Sequence, residues 1–364
     1  MLSWLRIKAI MIKEVRQLSR DRMTFGMIIM IPLIQLLLFG YAINTEVRDI
    51  PVAVVDQSQS EVGRIITEAV HVTQVVHIKQ RYATVQRAQQ AIDEGTVKAV
   101  LILPADLTQR IAQRRILGQW LVDGSDTMIS ASILQLKNMP LDMLLNYQTQ
   151  VTPTFEVALF FNPERQSSVN IVPGLLAVIL TMTMILFTSA AVVREKERGN
   201  MELLITTPIK PIELMLAKIL PYVLVGLIQV AIILGLGYWV FHVPINGSII
   251  QILLGTLLFI LASLTLGLII STRAQSQLQA MQMTIFILLP SILLSGFMFP
   301  YEGMPELAQW IAEVLPATHF MRVIRGVVLR GADLLDLWRD VIWLIGFTLV
   351  GLFIATLGFK KSLD

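Results

Sequence analysis

Six stretches of this chain run free of charged side chains for about the length that a membrane crossing demands. They cover residues 23–43, 171–193, 219–241, 243–272, 274–301 and 341–359. About 20 apolar residues in a helix cover a hydrocarbon layer roughly 30 Å thick. The runs predict six spanning helices, at 23–43, 171–193, 219–241, 248–271, 279–299 and 341–359. Composition agrees, since 15% of the 364 residues are charged and 55% hydrophobic, whereas soluble domains carry about 25% charged residues. Six crossings return the chain to the side where it began.

Basic residues decide which side that is. Segments 1–22, 194–218 and 360–364, with Arg273, carry fourteen Lys and Arg against seven Asp and Glu. Segments 44–170 and 302–340 carry fifteen basic against nineteen acidic residues. The first set is expected in the cytoplasm and the second outside. Arg322, Arg325, Arg330 and Arg339 lie in the outer set, accompanied by six acidic residues between 302 and 340. The first apolar run is longer than the core of a cleavable signal and contains Pro32, so it is expected to remain as a span.

Several chemistries are excluded. The chain has no cysteine, so disulfides and thiolate metal sites are impossible, and its four histidines are scattered. No phosphate-binding Gly-rich loop with Lys-Ser/Thr is present, so no ATP site is visible. The span interiors hold no ionisable group, which argues against an ion-coupled carrier. Their polar residues are amides and hydroxyls; Gln35, Thr183, Gln229, Gln282 and Ser295 are candidates for lining a substrate path. Such residues more often join helix to helix.

The long outer segment, 44–170, reads as a small α/β domain. Pro51–Val55 and Ala99–Leu103 are short, apolar, β-branched runs that suit buried strands, and 82–93 and 128–147 have helical spacing. Asp56, Asp123 and Asp126 are read as turn and cap residues. The first 22 residues predict an amphipathic interfacial helix. Trp4, Ile7, Met11, Val15 and Leu18 gather on one side, with Arg6, Lys13, Arg16 and Arg20 opposite. A bend is expected at Asp21-Arg22.

Between spans two and three lies REKERGNMELLITTPIKPIELMLAK, residues 194–218. Gly199 stops the preceding helix and Asn200 suits an N-cap, with Glu202 in the first turn and Met201, Leu204 and Ile205 forming an apolar side. Pro208 and Pro211 interrupt it. So short a helix is marginal alone and needs a surface to cover it.

This stretch resembles the cytoplasmic coupling segment of ABC-2 type permeases, the membrane subunits of bacterial ABC exporters. The family pattern is roughly R-E-x-E-x-G-T-x-E-x-L-L-x-T-P, matched here by Arg194, Glu195, Glu197, Gly199, Glu202, Leu204, Thr207 and Pro208. Asn200 and Ile205 depart from it and keep the roles of cap and apolar contact. A second likeness covers 294–331, with Gly296, Phe299-Pro300, Met304-Pro305, Pro316 and Thr318 in register. There, Glu306–Leu315 and Thr318–Leu329 read as a pair of short helices dipping back into the outer leaflet, within an outer segment 300–340.

The resemblance implies an all-α bundle of six transmembrane helices with an inserted extracytoplasmic α/β domain, of type V exporter architecture. It implies no catalytic residue and no cofactor held by this chain, with ATP and Mg handled by a separate ATP-binding subunit in two copies. That subunit docks on Arg194, Glu195, Glu197, Gly199, Asn200, Glu202, Leu204 and Pro208, and on the helix bearing Trp4, Ile7, Met11, Lys13 and Arg16. A second permease subunit, identical or paralogous, a periplasmic adaptor and membrane lipids are the other implied partners, and nucleic acid is not one. The expected location is the bacterial inner membrane, with both termini in the cytoplasm and 44–170 in the periplasm. The expected function is efflux of a drug-like or lipid-like substrate. The alternative is a membrane sensor with an outer ligand-binding domain.

Overall fold

A computed structural model of the chain describes residues 4–20, 22–42, 49–113, 115–123, 127–136, 139, 162, 166–199 and 211–358. They form two compact units, Met1–Ile43 with Phe160–Asp364, and Asn44–Leu159.

The first unit is helical. It contains α1 (Trp4–Arg20), α2 (Arg22–Ala42), α7 (Ser167–Glu197), α8 (Pro211–Phe241), α9 (Ile249–Arg273), α10 (Gln277–Leu294), α11 (Glu306–Val314), α12 (Pro316–Arg330) and α13 (Trp338–Gly358). Five of these, α7, α8, α9, α10 and α13, are long and apolar enough to cross a membrane. The expected first span is also helical, with Ile28–Gly40 as its described apolar stretch. Asp21, where a bend was expected, lies outside the described residues.

Helix α7 is the hub, packed by α2, α8, α9, α10 and α12. Its approach to α9 is close because Gly267 has no side chain. A Cβ there would meet the Ile185 carbonyl oxygen at 2.8 Å and Ile185 Cα at 3.2 Å, the small-residue contact by which apolar helices associate without help from water. About two turns earlier along α9, the rings of Phe259 and Phe320 stack at 4.1 Å.

Helices α7 and α8 run into the charged segment, to Glu197 and back to Pro211, as a stop at Gly199 and a start at Pro211 predict. The charged side chains there find partners inside the protein, so the backbone keeps its helical bonds. Two features differ from expectation. Helix α10 ends at Leu294 rather than 299, because Gly296 adopts φ +85° and the chain turns away. Finally, α11 and α12 do not share one environment. Phe320, Val323, Ile324 and Val327 of α12 are buried in the bundle core, whereas Leu307, Trp310, Ile311 and Val314 of α11 are exposed.

The second unit carries a four-stranded sheet in the order β2-β1-β3-β4. Its strands are β1 (Ile50–Asp56), β2 (Val76–Arg81), β3 (Ala99–Leu103) and β4 (Gln119–Val122), with β4 antiparallel and the rest parallel. Helices α3 (Glu61–Val72) and α4 (Val85–Asp93) make the two crossovers, and α5 (Leu107–Ala112) and α6 (Thr127–Gln135) follow β3 and β4. Alternation along β1 sends Val52 and Val54 to one face with Ile66 and Val70, and Ala53 and Val55 to the other with Ala88 and Ala91. Two covered faces explain why β1 and β3 read as unbroken apolar runs. Edge strands β2 and β4 lack such a run. Tyr82, expected to be helical, instead donates its N–H to Val54 O at 2.9 Å and prolongs the β1–β2 contact. The 128–147 helix is α6 as far as Gln135; residues 140–147 lie outside the described ones. Asp56 does close a turn, accepting from Ser58 N at 2.9 Å and Gln59 N at 3.2 Å. Asp123 pairs with Lys98 at 2.9 Å, and Asp126 is outside the described residues.

Candidate functional site

The helical unit concentrates its polar chemistry at its two ends. One end gathers α1, the last turn of α7 and the first turns of α8. Lys218 of α8, only 1% exposed, sets its Nζ 2.7 Å from Glu195 Oε2 and 3.1 Å from Glu14 Oε1. Lys13 Nζ reaches the other oxygen of Glu195 at 2.6 Å, and Arg6 Nη1 lies 3.7 Å from the buried Glu213 carboxylate. Three acids and three bases thus compensate one another, which burial requires, because an isolated charge here would cost several kcal/mol. Glu14, Glu195, Glu213 and Lys218 are the buried Asp, Glu, Lys or Arg side chains among the described residues, and all four sit at this end.

The rest of the charged tail is tied down as well. Glu197 accepts from Gln277 N at 2.8 Å, Lys196 donates to Ala274 O at 3.3 Å, and Arg194 Nε lies 3.5 Å from Gln277 Oε1. Gly199 ends α7 at φ +70° with open space around it. Asn200, Glu202, Leu204 and Pro208 lie outside the described residues.

Helix α1 departs from the simple two-sided picture. Ile7 and Ile10 pack on Leu214 and Ala217 of α8, and Glu14 follows on that same face. Trp4, Leu5, Ile12 and Val15 are exposed, Met11 is half-buried, and Lys13 and Arg16 face outward. So Ile7, expected on the lipid side, belongs to the protein side. The helix has three faces: one docked on α8, one apolar and open, and one basic. The lone acid among α1's apolar spacing, at Glu14, was the available signal for this docking, as was Lys218 inside the run LMLAKILPY.

The other end carries Gly296, Pro300, Pro305 and Pro316. Pro300 and Pro305 flank a short turn, Tyr301–Gly303, and Pro316 opens α12 at its first position, where its missing N–H costs nothing. His319 is buried, with Nδ1 2.7 Å from Asp340 Oδ1, Nε2 3.0 Å from Glu313 O, and its ring on Trp343 at 4.0 Å. Arg322 pairs with Glu313 and, at 3.4 Å, with Asp340. The hydrogen bond from Arg322 holds the Glu313 carboxyl below the usual carboxylate range. Beside this cluster opens a cavity of about 750 Å³ lined by Ser295, Gly296, Tyr301, Thr318, Arg322 and Arg325, among others.

A family model described as ABC-2 family transporter protein matches residues 22–357. The chain belongs to the ABC-2 transporter family. "Probable multidrug ABC transporter permease YbhS" of Escherichia coli is 28% identical over 385 aligned positions, covering 100% of this chain and 99% of that protein. YbhR of the same organism, with the same description, is 28% identical across 93% of this chain and 92% of its own length. "ABC transporter G family member 20" of Dictyostelium discoideum is 22% identical over 95% of this chain and 49% of that protein. With its apolar helices, this makes the chain a multi-pass ABC-2 membrane subunit.

In this ABC-2 subunit the polar span residues have distinct placements. Thr183 Oγ1 donates to Gln229 Oε1 at 2.8 Å, and Gln229 Nε2 donates to Ile28 O at 3.1 Å. That pair joins α7, α8 and α2 and leaves those groups occupied with one another. Gln35 Nε2 lies 3.8 Å from Met182 Sδ, with its Oε1 unpartnered. Gln282 is exposed on α10, and Ser295 lies at the cavity end.

Proposed function

We propose that this chain is the membrane-spanning subunit of an ATP-driven exporter, moving an amphipathic or lipophilic, drug-like or lipid-like substrate out of the cytoplasm or inner leaflet. The observation that carries this reading is the confinement of the four buried charges to one end, around the helices that flank 200–210. A gradient-driven carrier keeps its ionisable coupling group within the bilayer. Here three of the buried charges, Glu14, Glu195 and Lys218, instead clamp α1, α7 and α8 into one body at the point where a partner's push arrives. The ATP-binding subunit, which the family implies, docks on 199–208 and on the basic face of α1, and the chain itself has no catalytic role. A second permease, identical or paralogous, completes the path. ATP-driven closure of the partner rocks the helices between two packed arrangements.

In this reading the chain crosses a bacterial inner membrane six times with 44–170 in the periplasm, and the basic bias of 1–22, 194–218 and 360–364 supports a cytoplasmic place for this end and both termini. The open apolar face of α1, with Trp4, Ile12 and Val15, then rests on lipid. Because the chain has no cysteine, Glu202→Cys supplies a single label site. A membrane-impermeant maleimide is expected to modify it in inside-out vesicles and not in intact spheroplasts. Labelling from outside the cell overturns the orientation and, with it, the docking.

A further inference from the structure

Three polar atoms at the cavity end have no partner. Ser295 Oγ, Thr318 Oγ1 and Arg325 Nε are all buried without a hydrogen bond, and all three residues line the same cavity. The hydroxyl residues are sealed in, at 3% and 1% exposure for Ser295 and Thr318. A buried polar group without a partner is costly, and native proteins leave few of them. Three on one wall mark a place where something polar is missing.

The charged side chains lining the cavity are Arg322, Arg325 and Arg330 against Glu302 and Asp340, an excess of one cation. Arg325 donates from Nη1 to Gly296 O at 2.9 Å and has no carboxylate at ion-pair distance among the described residues. The Asp340 carboxylate is already engaged by His319 and Arg322. Burial pulls Arg325 below the ordinary arginine range, with Glu302 acting the other way. The cavity therefore holds one cation more than carboxylates and two hydroxyls able to donate. Phe297, Met298, Met321, Leu329 and Leu337 form its apolar side. At about 750 Å³ it falls in the range of small-molecule sites, far more room than a bare oxyanion needs.

We infer that this cavity binds the phosphate-type anionic headgroup of an amphiphile, the oxyanion on Arg325, Ser295 and Thr318 and the first part of the apolar body on the Phe297–Met321 side. Arginine suits this role because its planar fork gives two parallel bonds to an oxyanion. The inference stands apart from the export reading: binding needs no ATP and no partner. Where both hold, the site receives the headgroup on the outer side.

The test uses the full chain in neutral maltoside micelles, without ATP, and reads dissociation constants and melting temperatures. Dihexanoyl phosphatidic acid is expected to bind saturably, with dihexanoyl glycerol weaker by roughly tenfold or more, the worth of one charge-assisted contact. Arg325→Gln is expected to cost phosphatidic acid binding a similar factor, and Arg87→Gln, exposed on α4 and absent from the cavity lining, to leave it unchanged. Thr318→Val separates binding from folding. With an unpartnered hydroxyl removed, the unliganded melting temperature should hold or rise while affinity falls; a drop in melting temperature with affinity intact assigns Thr318 to structure and overturns the site. Sodium phosphate binding as tightly as phosphatidic acid overturns the headgroup in favour of a free anion. Equal binding of dihexanoyl glycerol, no effect of Arg325→Gln, or no saturable binding leaves a water-filled cavity and ends the proposal.

Discussion

Replacing Lys218 by methionine is expected to be among the most damaging single changes in the helical unit. The substitution keeps most of the side chain's volume and removes its charge, leaving Glu14 without its Lys218 partner and Glu195 with Lys13 alone. Breaking a buried pair from one side costs about 3–5 kcal/mol, because the surviving charge stays out of water. By contrast, Lys13 is half-exposed, and loss of such a cation costs about 1 kcal/mol or less. The sign of the next step is the sharper expectation. Adding Glu14→Leu and Glu195→Leu to Lys218→Met should restore most of the lost stability, since no unpaired buried charge then remains and Lys13, left without Glu195, is half-exposed. Thermal unfolding in detergent reads all of these variants. If Lys218→Met unfolds no earlier than Lys13→Met, the ion network does not hold α1, α7 and α8 together.

The second large effect is functional. Glu202→Arg is expected to separate ATP turnover from transport, lowering export about tenfold or more while the partner ATPase remains active. Glu202 stands in a segment of alternating charge, where register with a partner is set by sign; placing like charges opposite one another costs several kcal/mol. Glu202→Gln removes the attraction without adding repulsion and should lie between. A coupling role predicts that neither variant shifts the melting temperature of the purified chain. Normal transport by Glu202→Arg overturns the coupling role of this segment.

Much of the helical unit was legible in the sequence because charge-free runs of such length have few other uses. The two inner strands were equally clear, being apolar on both faces. The edge strands were not, since β2 exposes Lys79, Gln80 and Arg81 and gains its place only by pairing with β1. The buried ion pairs were not legible either, for a physical reason. A sequence shows that Glu195 and Lys218 are charged, and only the fold shows that they cancel. The same holds for Ile7, whose helical position fits either lipid or protein until α8 is seen beside it. Thr183 and Gln229 are 46 residues apart in sequence, so nothing local announced that each would occupy the other. The cavity beside Arg325 was hidden more deeply. Arg325 read as a mild exception to the charge bias, whereas its position against Ser295 and Thr318 depends on how α12 lies in the bundle.

The most direct measurement of the central claim is substrate efflux from proteoliposomes holding this chain, with and without the ATP-binding subunit, under ATP or under an imposed proton or sodium gradient. Lipophilic dye should leave the membrane only when the ATP-binding subunit and hydrolysable ATP are both present, and an imposed gradient should do nothing. Gradient-driven movement by the chain alone, with no nucleotide, would contradict the account at its root.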